Sequence, residues 1–405
     1  MKRYTLLALL LVALAGITVW TADQGEECTS LVATGAGTVD GASLLWKNRD
    51  NPNELSNKVV FVDDEPYSYL ALVDGEPGNG RLAWASLNAV GFGLANTATD
   101  NLPPSEPSGN PSILMGDAVR TCATVDEFEQ FLQHNFGRNR GTRSNFLAVD
   151  AKGGAAIFET HAHGFKRLNA ADAPERYLGN TNFSRSGTPD QGHGYLRFDR
   201  EAILLKRAPA GQLSPDYILQ TMSRDLGHPL LHHPERDQWR TFPPDAPVWL
   251  HTNYTIDRPS TASAVVIHNV KPGEDPSRAT MWVILGEPLT SVAVPLWVAA
   301  GTPPPELWEG PEAALLKESE RLKNLLRPLK SAERREYVDV TRLDNSAGTG
   351  WLPTTLAAER ENLAEAEQIL KRKASVAELT AFEKLAASRT LALLRRTATV
   401  PAGTK

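Results

Sequence analysis

The chain has 405 residues, 41% of them hydrophobic and 22% charged, with a formal net charge of −6. That composition is ordinary for a globular protein and long enough to bury a sizeable core. The acidity and the lack of a basic stripe exclude nucleic acid as a main partner. With only two cysteines, Cys28 and Cys122, the chain is no disulfide scaffold.

The N-terminus reads as an export signal. Lys2 and Arg3 precede an apolar run from Thr5 to Trp20, shorter than the roughly 20 residues a bilayer span needs. We assign residues 1–22 to a signal peptide and 23–27, Asp-Gln-Gly-Glu-Glu, to a short propeptide; an uncleaved anchor is the alternative. The mature protein is expected in the periplasm or outside the cell, with no stable membrane span.

Short apolar or alternating runs of strand length follow, bounded by turn residues: Thr29–Ala33, Ser43–Lys47, Lys58–Val62, Tyr69–Val73, Leu82–Leu87, Phe92–Asn96, Phe146–Val149, Ala155–Glu159, Ala264–His268, Met281–Leu285 and Val292–Val298. Asp150-Ala-Lys-Gly-Gly154 is a hairpin turn. Helical patterns occupy roughly 111–136, opened in the middle by Thr124 and Asp126, then 198–208 and 215–224. A Pro-rich stretch, Thr302 to Pro305, closes a mixed α+β domain over 28–300. Residues 301–405 turn charged and Leu/Ala-rich, with Leu363, Ala366 and Leu370, and Val376, Leu379, Phe382 and Leu385, at helical spacing. Three or four amphipathic helices packed on the main domain are expected there.

The sharpest feature is the segment from Cys28 to Asp50. It divides into a strand, a turn at Asp40-Gly41 and a second strand ending Lys47-Asn48-Arg49-Asp50. Such a hairpin returns its far end to its start, so the Asp50 carboxylate is expected near Cys28. Cutting the bond before Cys28 leaves a thiol and a free α-amine on one residue. An α-amine titrates at about 7.7–8.0, near working pH, and serves as general base for its own side chain. Asp50 would orient that amine, and Lys47 would add positive charge favouring thiolate. No histidine is needed.

This segment resembles the mature N-terminus of the cysteine-type N-terminal-nucleophile hydrolases. That superfamily includes penicillin V acylase and bile-salt hydrolase, isopenicillin-N acyltransferase, acid-ceramidase-like amidases and a dipeptidase family. The string Leu45-Trp-Lys-Asn-Arg-Asp50 is most similar to 6-aminopenicillanic-acid acyltransferase homologues; bile-salt hydrolases carry Arg where Lys47 falls. Further blocks follow in the expected order: Ser86 to Asn96, Asn145 to Asp150 with Gly154 to Glu159, Thr181-Asn182-Phe183-Ser184, Gly194 to Arg200, and Met281 to Pro288. The resemblance implies a four-layer αββα sandwich, here with a helical C-terminal extension. It also implies that Cys28 releases itself by attacking the Glu27 carbonyl. Asn96 and Asn182 would donate to the oxyanion, and Arg197 would orient Asp50 or a substrate acid. The activity implied is amide hydrolysis or acyl transfer through a thioester, on a small-molecule amide, with no cofactor. Trp46, Phe92 and Phe183 would suit an apolar acyl pocket.

Other readings stay open beside this one. A dipeptidase fits the Asp50 spacing, and a non-catalytic exported envelope protein would use the C-terminal helices for interaction. The histidines, including His161, His163, His228, His232 and His233, carry no metal-binding motif and read as loop residues. Cys122 reads as a core residue, Asn88 as a turn residue, Asn180 as the fallback for Asn182, and Arg200 as part of a solvated helix face.

Overall fold

The computed structural model describes residues 27–51, 56–75, 82–103, 109–135, 142–208, 212–329 and 335–398. The expected signal peptide, and all of the expected propeptide except Glu27, lie outside them. Among the described residues no helix is long and apolar enough to cross a membrane.

Two antiparallel sheets organise the chain. Strands β1 (Glu27–Ala33) and β2 (Leu44–Asp50) form the central hairpin, and β3 (Asn57–Val62), β4 (Tyr69–Asp74), β5 (Ala83–Asn88), β6 (Gly93–Ala98), β7 (Ser144–Val149), β8 (Ala155–His161) and β9 (Gly164–Asn169) make a seven-stranded meander in sequence order. The six-stranded sheet adds β10 (Tyr177–Asn180), β12 (Thr261–His268), β13 (Thr280–Leu285) and β14 (Val294–Leu296) around the hairpin, in the order β10-β1-β2-β12-β13-β14. A two-stranded ribbon, β11 (Trp249–His251) with β15 (Tyr337–Asp339), stands apart.

The layers follow from alternation along the strands. On β4, Leu70 and Leu72 join a core shared with Val32, Leu45 and Val265 of the other sheet, while Tyr69, Ala71 and Val73 face a second core. Helices α1 (Pro111–Val119) and α2 (Val125–Asn135) close that second core, with Phe128 ringed by Phe92, Phe146 and Phe158 at 5.1–5.9 Å. The outer face of the six-stranded sheet is covered by α3 (Tyr195–Arg207) and by Ile218, Leu219 and Met222 of a following helical segment. Helices α4 (Ala314–Leu326), α5 (Leu352–Lys371) and α6 (Val376–Arg396) complete that layer. The result is the expected helix–sheet–sheet–helix stack.

The terminal helices are joined to the sheets by buried polar contacts as well as apolar ones. Glu359 on α5 makes a fully buried ion pair with Arg224 at 2.8 Å and accepts from the Ala293 N–H at 2.8 Å. Glu383 on α6 accepts from the Trp297 N–H at 2.6 Å. Breaking a buried pair by removing one partner strands a charge in low dielectric, at about 3–5 kcal/mol. Glu359→Ala should therefore lower the urea midpoint of the whole chain in one transition. On α6 the stripe facing the core is Leu379, Phe382, Ala386 and Ala387, whereas Val376 and Leu385 are exposed.

Candidate active site

The central hairpin fixes the site. Its register sets Cys28 opposite Arg49, Ser30 opposite Lys47, and Glu27 opposite Asp50. Directly paired residues share a face, so Cys28, Lys47 and Arg49 point one way and Glu27 and Asp50 the other. The first face looks toward the seven-stranded sheet. There the Arg49 guanidinium lies 4.5 Å over the Trp84 ring and forks onto Asp74 at 2.7–2.8 Å, while Lys47 Nζ donates to Asn96 Oδ1 at 3.0 Å and to the Trp84 carbonyl at 3.1 Å. The second face meets α3, whose Arg197 donates to Thr29 Oγ1 at 3.1 Å. The sulfur and the two carboxylates thus occupy opposite sides of the sheet, with the Cys28 main-chain nitrogen between them.

That nitrogen is well held. Cys28 N–H donates to Asn182 Oδ1 at 2.8 Å, and Arg197 donates to the Cys28 carbonyl at 2.6 Å, to Asn182 Oδ1 at 2.8 Å and to Glu27 at 2.8 Å. Arg197 stands in the first turn of α3, which is capped by Gly194, whose φ of +78° suits glycine and where a Cβ would stand 2.6 Å from the guanidinium. Burial and the Arg258 charge lower the Arg197 pKa, against support from Asp50, Glu27 and Cys28.

Arg258 is a site residue that sequence reasoning missed. It pairs with Glu27, stands 3.9 Å from Asp50 Oδ2 and is anchored by Asn253 at 2.9 Å. Thr261, also missed, donates to Asp50 Oδ1 at 2.7 Å. Both precede or begin β12, which neighbours β2 only in the sheet order, so nothing local in the sequence marks them. Burial would raise the Glu27 carboxyl, but Arg258 and Arg197 outweigh it and hold it low. Asp50 goes the other way. Its complete burial outweighs Arg258, Arg197 and Thr261 and raises it to about 6, and Oδ2 has no hydrogen-bond partner among the described residues.

Several expectations change in detail. Asn182 turns its oxygen, not its amide, to Cys28, because Nδ2 is spent on the Ala98 carbonyl at 3.0 Å. Asn96 accepts from Lys47, leaving Nδ2 with a marginal 3.5 Å contact to Ser144. Arg197 contacts Glu27 and Cys28, and Arg258 is the guanidinium nearest Asp50. Trp46 is buried in the main core and Phe92 in the outer core around Phe128, so neither lines the site; Phe183 stacks on Tyr195 at 4.7 Å beside Asn182. Arg200 is not on a solvated face: it is 8% exposed and forks onto Asp225 at 2.7 and 2.8 Å. Asn180 bonds Thr97 across the sheets, Asn88 caps its turn by accepting from Val90 and Phe92, and Cys122 is buried with a free thiol. Among the described residues no group of three or more His, Cys, Asp or Glu is set to hold a metal.

Taken as chemistry, the arrangement is a buried thiol next to a nitrogen gripped by an amide oxygen, with an orphaned carboxylate oxygen one position away. Residues 38–208, somewhat under half of the chain, match the model of the family described as acyl-coenzyme A:6-aminopenicillanic acid acyl-transferase. The match bears out the resemblance read from the sequence and supports an amide hydrolase or acyltransferase; it covers Lys47, Asp50, Asn96, Asn182 and Arg197 and begins after Cys28. No curated protein matches the chain. Similar solved structures include conjugated bile acid hydrolase from Clostridium perfringens, with 10% identity, TM-score 0.39, and 67% of this chain and 92% of that one covered. Penicillin V acylase from Agrobacterium tumefaciens gives 14%, 0.40, 67% and 86%. The N-acylethanolamine-hydrolyzing acid amidase ortholog of Caenorhabditis elegans gives 16%, 0.36, 59% and 92%.

Proposed function

We propose that the chain is an exported, self-processing hydrolase or acyltransferase of non-peptide or N-acyl amides, with Cys28 as both nucleophile and, through its α-amine, general base. The observation that carries this reading is the surroundings of the Cys28 nitrogen: Asn182 Oδ1 at 2.8 Å and, on the paired strand opposite Glu27, a buried Asp50 oxygen with no hydrogen-bond partner among the described residues. An unmade hydrogen bond on a buried carboxylate is costly, and an ammonium at Cys28 would satisfy it.

In processing, the Cys28 sulfur attacks the Glu27 carbonyl carbon, the peptide C–N bond breaks, and water hydrolyses the resulting thioester. Glu27 leaves as a carboxylic acid and Cys28 gains a free amine. With Glu27 attached, Cys28 is only 1% exposed. In turnover, the amine takes the thiol proton and the sulfur adds to the substrate carbonyl. The ammonium returns that proton to the departing amine, and a thioester remains. Water, or another acceptor, discharges it with the amine again as base. The Asn96 amide is the donor best placed in this scheme for the oxyanion, since its Oδ1 is pinned by Lys47 and its Nδ2 is weakly engaged. Asn182, Asp50 and Arg197 then position the amine and the Cys28 carbonyl.

The test is an acid quench during turnover of a panel of N-acyl amides with short and long acyl chains, read by intact mass. An acyl adduct on the Cys28 peptide, formed with release of the amine, is expected. Turnover of dipeptides with no acyl-amide turnover would contradict the substrate class, and turnover with no adduct at Cys28 would contradict the thioester.

A further inference from the structure

A second concave feature lies beyond the nucleophile. One stripe of α3 carries Arg197, Arg200, Leu204 and Arg207 at helical spacing. The first holds the Cys28 carbonyl, and the other three line a cleft of about 500 Å³ under the segment from Asp225 to Trp239. That volume falls within the range of small-molecule sites.

The cleft is polar and carries an unbalanced charge. Of its arginines, Arg200 is paired with Asp225, Arg224 with Glu359, and Arg207 with Glu235 at 3.1 Å. Arg236 differs. Its guanidinium donates to the main-chain oxygens of Gln220 at 2.7 Å and Arg224 at 3.4 Å, and among the described residues no carboxylate lies at ion-pair distance. Burial first, and the Arg224 charge second, press Arg236 down to about 10, with only partial support from Asp225, Asp257 and Glu359. His228 adds a donor: its Nδ1 accepts from the N–H groups of Leu230 at 3.0 Å and Leu231 at 3.1 Å, so the neutral ring carries its proton on Nε2. A planar fork held by backbone carbonyls, in a cleft with a neighbouring imidazole donor, matches the oxygens of a carboxylate or phosphate.

We propose that this cleft is an anion-binding site for a small molecule bearing a carboxylate or phosphate group, seated on the Arg236 guanidinium. The site does not depend on the chemistry assigned to Cys28. The same two-oxygen edge is presented by both ligand classes, and the experiment separates them.

The full chain is titrated calorimetrically with inorganic phosphate and with citrate at fixed ionic strength, beside Arg236→Gln and Arg236→Lys. At least one anion should bind at a single site, with affinity reduced tenfold or more in Arg236→Gln and less in Arg236→Lys, which keeps charge but loses the fork. Phosphate alone identifies a phosphorylated ligand, and citrate alone a polycarboxylate. Should Arg236→Gln fail to fold, Arg207→Gln, at a half-exposed position, should fold and weaken the same binding severalfold. Absence of binding by both anions, or binding unchanged in the folded variants, overturns the proposal.

Discussion

Cys28→Ala should abolish turnover of acyl amides, by a factor on the order of 10⁶, the scale seen when a covalent nucleophile is deleted. The loss is expected to be that large because the scheme places nucleophile and base on one residue, so no neighbour can stand in for the sulfur. The substitution removes one buried atom from a site that is 1% exposed, so the fold should persist, with an unchanged far-ultraviolet spectrum and a denaturation midpoint close to that of the parent. Cys122→Ala is the internal control. Burial among α1, α2 and β5 pushes that thiol up to about 12, which leaves it protonated and inert at neutral pH. Its removal should leave the rate within about twofold. A Cys28→Ala protein that retained a tenth of the activity would place the nucleophile elsewhere.

Asp50→Asn should separate two effects of one carboxylate. In the processed enzyme it should reduce turnover about a thousandfold or more, the scale observed when the group that orients a catalytic base loses its charge. In uncleaved chain, prepared on the Cys28→Ala background, it should instead stabilise. The folded-state pKa of Asp50 is raised, from 3.8 to about 6. Its effect on stability is therefore neutral below pH 3.8, where the carboxyl is protonated folded or unfolded, and becomes unfavourable as pH rises through about 6. Two pKa steps correspond to roughly 3 kcal/mol as an upper bound. Urea titrations should thus show little difference between the two proteins near pH 4 and a clear gain for Asn at pH 8. A gain of equal size at both pH values would mean that packing, not charge, is responsible.

Much of the fold was legible because burial imposes period-two alternation on strands. The runs at Tyr69–Val73 and Ala155–Glu159 lie within β4 and β8, and Thr124 with Asp126 marks the break between α1 and α2. What escaped were elements with little burial to impose a pattern. Strand β9 lies at the edge of its sheet and is only partly buried, and β10 has four residues, one of them glycine. The short strands β11 and β15 pair across a long stretch of chain and satisfy each other rather than the main core.

The site divides in the same way. Cys28, Asp50, Asn182 and Arg197 come from segments whose local strings stand out, and the structure gathers them from one hairpin, the loop after β10 and the start of α3. The orientation of each group was not legible. Which face of the sheet Asp50 takes depends on a single register step, and which end of the Asn182 amide meets Cys28 depends on the Ala98 carbonyl, far away in sequence. Arg258 and Thr261 needed the sheet order itself. The apolar residues Trp46, on β2, and Phe92, just before β6, misled because a large apolar side chain near a site more often faces a core than a substrate.

The proposed mechanism requires Cys28 to be the first residue of the working enzyme. N-terminal sequencing of purified exported protein that turns over an acyl amide should read Cys-Thr-Ser-Leu-Val, from Cys28, with a matching intact mass. An active protein whose sequence instead ran through Glu27 into Cys28 would have no amine to act as base, and the assignment would be wrong.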